Sequence, residues 1–105
     1  MSSEDFVLHP EAARDISEIW EYIAEDNPEA AGRFQNKIVQ AIRNLAAFPR
    51  QGHARPDLSS RALRFETVGA YLIAYVPDRV PLLVLAVIHG RRSPRVIAAM
   101  LRSRE

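Results

Sequence analysis

Leu82-Leu83-Val84-Leu85-Ala86-Val87-Ile88 is an unbroken apolar run that closes at His89 and Gly90. Alternation of apolar and polar residues would mark a strand with one wet face. This run has none, so it reads as the central strand of a sheet, over about residues 81–89. Two further strands precede it, over about residues 62–68 and 70–77. They contain Leu63-Arg64-Phe65 and Tyr71-Leu72-Ile73-Ala74-Tyr75-Val76. Val68-Gly69-Ala70 and Pro77-Asp78-Arg79 have the composition of the turns between them. Arginines stand at or just beyond the strand ends, and the last strand releases Arg91 and Arg92 together after Gly90. The expectation is a rigid sheet with a fixed positive edge, suited to gripping an anionic group.

Upstream the period changes. Phe6-Val7-Leu8-His9 is a short strand ended by Pro10. Ala12, Ile16, Ile19, Trp20 and Ile23 then recur at spacings of three and four, the stripe of an amphipathic helix. Glu11, Arg14, Asp15, Glu18, Glu21 and Glu25 fall on its other face. Asn27 is a capping residue and Pro28 suits a first helical position. A second helix carries Ala31, Phe34, Ile38, Ala41, Ile42, Leu45 and Phe48 on one stripe and stops at Pro49. The short connection makes the two helices an αα-hairpin. Residues 49–61 read as a polar loop. Val96, Ile97, Met100 and Leu101 predict a short C-terminal helix. The whole is an α+β fold: an N-terminal strand, an αα-hairpin packed on one face of a mostly antiparallel sheet of about four strands, and that short helix.

At 105 residues the chain is expected to be a single domain, 1–105. It has no cysteine, which excludes disulfides and thiolate chemistry. His9, His53 and His89 have no metal-ligand spacing, and no cofactor or metal is expected. No apolar run approaches the ~20 residues of a membrane span, and the acidic start lacks a leader pattern, so a cytoplasmic protein is expected. The net charge of +1 hides a split. Residues 1–48 carry four bases and nine acids (4 − 9 = −5), and residues 49–105 carry ten bases and four acids (10 − 4 = +6). Thirteen of the fourteen bases are arginine, which forks onto carboxylate or phosphate but does not act as a base near neutral pH. An acidic helix hairpin beside a basic half argues against tight binding to free nucleic acid, which gains from positive charge spread around the site.

These residues resemble, in order and spacing, the RelE/ParE superfamily of toxins from type II toxin–antitoxin systems, and within it the ParE-like, plasmid-stabilisation branch. The resemblance runs over roughly residues 6–97. It is carried by Ala13-Arg14-Asp15-Ile16 with Ile19, and by Tyr22-Ile23-Ala24 leading into Asn27-Pro28-Glu29-Ala30-Ala31. It continues through Leu45, Phe48-Pro49 and Gly52. The last segments are Leu63-Arg64, Val68-Gly69-Ala70-Tyr71-Leu72-Ile73 with Tyr75, and Val87-Ile88-His89-Gly90-Arg91-Arg92. It implies a toxin neutralised by a cognate ParD-like antitoxin, part of which folds on binding, lays a helix in a groove and often adds a strand to the sheet. ParE-like members are associated with DNA gyrase, RelE-like members with ribosome-dependent mRNA cleavage. A third alternative is a degenerate toxin that only binds its antitoxin. Fold alone does not separate these.

Metal-free RNA cleavage needs a base for the 2′-hydroxyl, cations for the phosphate and an acid for the leaving oxygen. Ribosome-dependent relatives supply lysines and arginines near the middle strands and an aromatic residue, typically tyrosine, in the C-terminal segment. Here that region offers Arg50, Arg55, Arg61 and Arg64, and the tail after Arg92 has no Tyr, His or Phe. His89 is the one candidate for proton transfer, with Glu66 as a neighbour to orient it. Otherwise no catalytic residue is expected. Arg64, His89, Arg91, Arg92 and Arg95 are the candidates for contact with target or antitoxin. Arg64 is equally open to an internal pair with Glu66 or Asp57. Tyr71 and Tyr75 are expected in the core under the hairpin, and Trp20 between helix and sheet.

Overall fold

The computed structural model describes residues 5–104. Its elements are β1 (Phe6–Leu8), α1 (Pro10–Ala24), α2 (Pro28–Ala47), β2 (Arg64–Val68), β3 (Tyr71–Val76), β4 (Leu82–His89) and α3 (Pro94–Arg104). The strands form one sheet in the order β1-β4-β3-β2. β1 runs parallel to β4, and the other two pairings are antiparallel. The expected α+β architecture is therefore present, with the apolar run at the sheet's interior. Among the described residues no helix is long and apolar enough to cross a membrane.

Both helices of the hairpin begin on side-chain caps. His9 accepts the Glu11 N–H through Nδ1 at 3.0 Å, and Pro10 follows at the first helical position. Asn27 does the same for α2, its Oδ1 accepting the Ala30 N–H at 3.0 Å. The hairpin buries Ile16, Ile19, Ile38, Ile42 and Leu45 against Ile73, Tyr75, Val84 and Val87 of the sheet. Burial of each large aliphatic side chain is worth about 1.5–3 kcal/mol. Two members of the expected stripes stay out: Trp20 is 38% exposed and Phe48 is 66% exposed. Phe48 instead ends α2, its N–H donating to the Asn44 carbonyl at 2.8 Å.

The other face of the sheet, which the apolar run of β4 requires to be dry, is closed as well. Ile97 and Leu101 of α3 and Leu58 and Leu63 of the preceding loop pack there on Phe65, Leu85, Ala86 and Ile88. A bulge assists. Tyr75 faces Val84 while Ala74 faces Ala86, so Leu85 is an extra residue in β4, and it joins Ala86 on the α3 side. This is why β4 reads as apolar throughout.

The loop of residues 49–63 is pinned from beneath. The fully buried Tyr75 donates its hydroxyl to the Pro49 carbonyl at 2.7 Å and accepts the Gly52 N–H at 3.0 Å. His53 and Phe65 exchange two backbone hydrogen bonds at 2.8 and 2.9 Å. Gly52 sits so close that a Cβ there would lie 2.5 Å from the Tyr75 hydroxyl and 2.8 Å from the Phe65 carbonyl. Gly69 turns β2 into β3 with φ +58°, where a side chain is strained.

Candidate functional site

The strongest local geometry lies where β4 passes into α3. The Gly90 N–H donates to the Ala70 carbonyl at 2.8 Å, and the Arg92 N–H to the His89 carbonyl at 3.2 Å. The His89 ring folds back on its own loop, Nδ1 accepting the Arg91 N–H at 3.0 Å. Ser93 then caps α3, its Oγ accepting the Val96 N–H at 3.2 Å. These bonds hold Arg91, Arg92 and Arg95 outward as an exposed group. Among the described residues none of the three makes an ion pair.

His89 is half-buried, edge-on to Tyr71 with ring centroids 5.0 Å apart, and Tyr71 in turn meets Phe34 at 5.6 Å. Burial, with a smaller contribution from nearby Tyr22, pushes the Tyr71 phenol above its ordinary range. A ring nitrogen that accepts an N–H carries no proton, so the neutral imidazole bears its hydrogen on Nε2. The orienting partner expected in Glu66 is not there. Glu66 pairs with Ile73 on β3 and accepts Gln51 Nε2 at 3.2 Å, whereas His89 lies on β4 opposite Tyr71. Two strand spacings, about 10 Å, separate their backbones.

Arg64 also departs from expectation. It pairs with neither Glu66 nor Asp57. Its guanidinium donates to the Gly52 carbonyl at 2.5 Å and the Arg50 carbonyl at 3.4 Å, clamping the loop. Asp57 belongs to Arg55, whose guanidinium holds the carboxyl below its usual range. Arg64 stands opposite Tyr75, His89 opposite Tyr71, so they occupy opposite ends of the ladder. The positive edge anticipated from the sequence is two separate groups, and only His89, Arg91, Arg92 and Arg95 come together.

Two residues that sequence reasoning placed wrongly or passed over complete this end of the molecule. Asp15, expected on the wet face of α1, is nearly buried with Arg104 of α3, their side chains 12% and 8% exposed. The pair is bidentate, with contacts of 2.6 and 3.1 Å. Asp15 Oδ2 also accepts the Val87 N–H at 3.0 Å, and Arg104 Nη1 donates to the Leu85 carbonyl at 3.0 Å. The backbone groups engaged belong to the part of β4 that β1 leaves uncovered, since β1 pairs only with Leu82–Val84. Beside this latch a cleft of about 190 Å³ opens between α1 and α3, lined in part by Tyr22, Tyr71, His89 and Arg92. Among the described residues no group of three or more His, Asp and Glu side chains could hold a metal ion.

Comparison with known proteins points to one family. A family model described as the ParE toxin of the type II toxin–antitoxin system parDE matches residues 6–94. A protein of Sinorhizobium fredii (strain NBRC 101917 / NGR234), named "Putative toxin Y4kP", is 33% identical over 87 residues, covering 82% of this chain and 88% of that protein.

Proposed function

On the premise that the chain belongs to the ParE toxin family of type II toxin–antitoxin systems, we propose that it acts in the cytoplasm by binding and inhibiting DNA gyrase and is neutralised by a ParD-like antitoxin. The observation that carries the binding reading is the state of His89. Its Nδ1 is committed to the Arg91 N–H, and the nearest expected orienting carboxylate, Glu66, is held by Gln51 on the far side of β3. A histidine base in an activated-nucleophile site is oriented by a further group on its second ring nitrogen. The charged groups beside His89 include the exposed guanidinium of Arg92, which grips anions without moving protons, and the Glu18 carboxylate on the same cleft. The one lysine, Lys37, is on α2 and does not line the cleft that holds His89.

One observation favours the rival reading of mRNA cleavage: His89 and Arg92 line the same cleft. A paired assay decides. The purified chain is added to a gyrase supercoiling reaction and, separately, to a translating extract whose message is read by primer extension. Lost supercoiling with intact message is expected. Codon-phased cuts that disappear in His89→Ala overturn the proposal in favour of cleavage. Silence in both assays, from a chain that still binds its antitoxin, overturns it in favour of a degenerate toxin.

A further inference from the structure

Among the described residues, β4 has no strand neighbour beyond Val84 on the β1 side. The first part of this open edge is closed by Asp15 and Arg104, which bond the Val87 N–H and the Leu85 carbonyl. The cleft begins where that closure ends. Val87, Ile88 and His89 form its floor, Ile19 and Tyr22 its α1 wall, and Met100 its α3 wall. Glu18 and Arg92 stand on its rim with opposite charge. Tyr22 is 73% exposed, a large aromatic side chain with little over it.

We propose that this cleft seats one aromatic anchor side chain of the antitoxin, in a segment that sets a basic residue toward Glu18 and an acidic residue toward Arg92. The inference rests on the proposed antitoxin partner and specifies where and how that partner is held. Size comes first. At about 190 Å³ the cleft is smaller than the ~300 Å³ at which small-molecule sites begin, and suits a single side chain. Aromatic character comes from the walls. Tyr71 and His89 already meet edge to face at 71°, and a third ring beside them and Tyr22 extends that packing. The charge pattern follows from the two walls. The outward face of α1 carries Glu11, Glu18, Glu21 and Glu25 against a single Arg14, while Arg91, Arg92 and Arg95 stand at the start of α3. A uniformly acidic segment would suit the arginines and be repelled by α1, so the occupant carries both signs. The latch sets the direction of entry: with Asp15 and Arg104 closing one end, the segment enters from the His89 end and stops or turns there.

The test uses the full chain and the full-length cognate antitoxin, with affinity measured by titration calorimetry. Tyr22→Ala and Arg92→Glu change exposed side chains, so the fold survives, and circular dichroism checks it. Each is expected to raise Kd by about tenfold or more, as buried anchors at an interface do. Phe48→Ala, an equally exposed aromatic at the end of α2, is expected to stay within about twofold. If Tyr22→Ala and Arg92→Glu bind like the wild type, the cleft is not the seat of the anchor and this inference falls while the proposed partner stands. If the wild-type chain does not bind the antitoxin, both fall. If the free chain sediments as a dimer that Tyr22→Ala dissociates, the cleft is a self-interface and the inference is overturned.

Discussion

Replacing Arg104 by methionine probes the latch that ties the last turn of the chain to its first helix. Methionine keeps the apolar stem and removes the guanidinium. Asp15 is then left with one partner, the Val87 N–H, in a site where its side chain is 12% exposed. Breaking a buried pair from one side costs about 3–5 kcal/mol, because the surviving charge has lost water without compensation. The lower figure applies here, since a helix end can fray and let water reach the carboxylate. A loss of about 3 kcal/mol is a large share of the ~5–15 kcal/mol that holds a domain folded. At about 4–8 °C per kcal/mol, the expected drop in Tm is about 12–24 °C. Asp15→Asn keeps an acceptor for Val87 and frees an arginine able to swing into solvent, so about 1–3 kcal/mol is expected. A double-mutant cycle on the two is expected to return a coupling of about 2 kcal/mol. The control is the exposed pair Arg50–Asp78, 66% and 60% exposed. Removing Arg50 is expected to cost less than about 1 kcal/mol, and less again at high salt. Urea denaturation at two salt concentrations separates the cases. A cost below about 1 kcal/mol for Arg104→Met would refute the latch and with it the closed end of the cleft.

Three further outcomes are expected. Burial raises the Tyr75 phenol above its ordinary value of 10.0, and burial raises Tyr71 too. The folded state therefore holds these protons more tightly than the unfolded chain. Their contribution to stability is fully present below pH ~10 and is lost above it, as unfolded tyrosines ionise first. In Tyr75→Phe this alkaline decline is expected to shrink, while the neutral-pH stability drops by about 1–3 kcal/mol because Gly52 N–H and the Pro49 carbonyl lose their partner. A Tm series from neutral to alkaline pH checks both. Gly52→Ala is expected to destabilise by about 1–3 kcal/mol, since the Phe65 carbonyl is backbone and cannot yield. Gly32→Ala, with nothing within 4 Å of its Cβ inside α2, is expected to stabilise by about 0.5–1 kcal/mol. Urea midpoints of the two glycine variants should therefore move in opposite directions.

The elements of this fold are legible because each is written locally. Asn27 and Pro28 announce α2, Gly69 a turn, and the apolar run from Leu82 an interior strand. The errors sit where local pattern is ambiguous. At 3.6 residues per turn, Asp15 and Trp20 lie about 70° on either side of the centre of the stripe made by Ala12, Ile16, Ile19 and Ile23. Their positions are equivalent, and polarity alone sends Asp15 out and Trp20 in. The structure buries Asp15, because a partner arrives from residue 104, and leaves the indole 38% exposed. Nothing within a helical window records a contact 89 residues away. The same limit explains Arg64. Its alternation with Leu63 and Phe65 shows that it leaves the core, but not that the loop carbonyl of Gly52 waits for it.

The site repeats that division between local and distant information. His89 and the arginines after it were visible as a group because Gly90 ends the strand and puts them on one junction. Tyr22, Glu18 and Met100 come from other elements and belong to the site only through the gap that β1 leaves along β4. The three residues of β1 are what leave this edge open to the proposed partner. A longer β1 would pair with Leu85 and Val87, displace Asp15 and Arg104 from the edge and fill the cleft with backbone. The short strand leaves an edge that must be satisfied by other means, since an unpaired buried N–H costs about as much as a lost hydrogen bond. The chain satisfies half of it with an ion pair from within. The half beside His89 is left facing an aromatic cleft with a carboxylate and a guanidinium at its mouth.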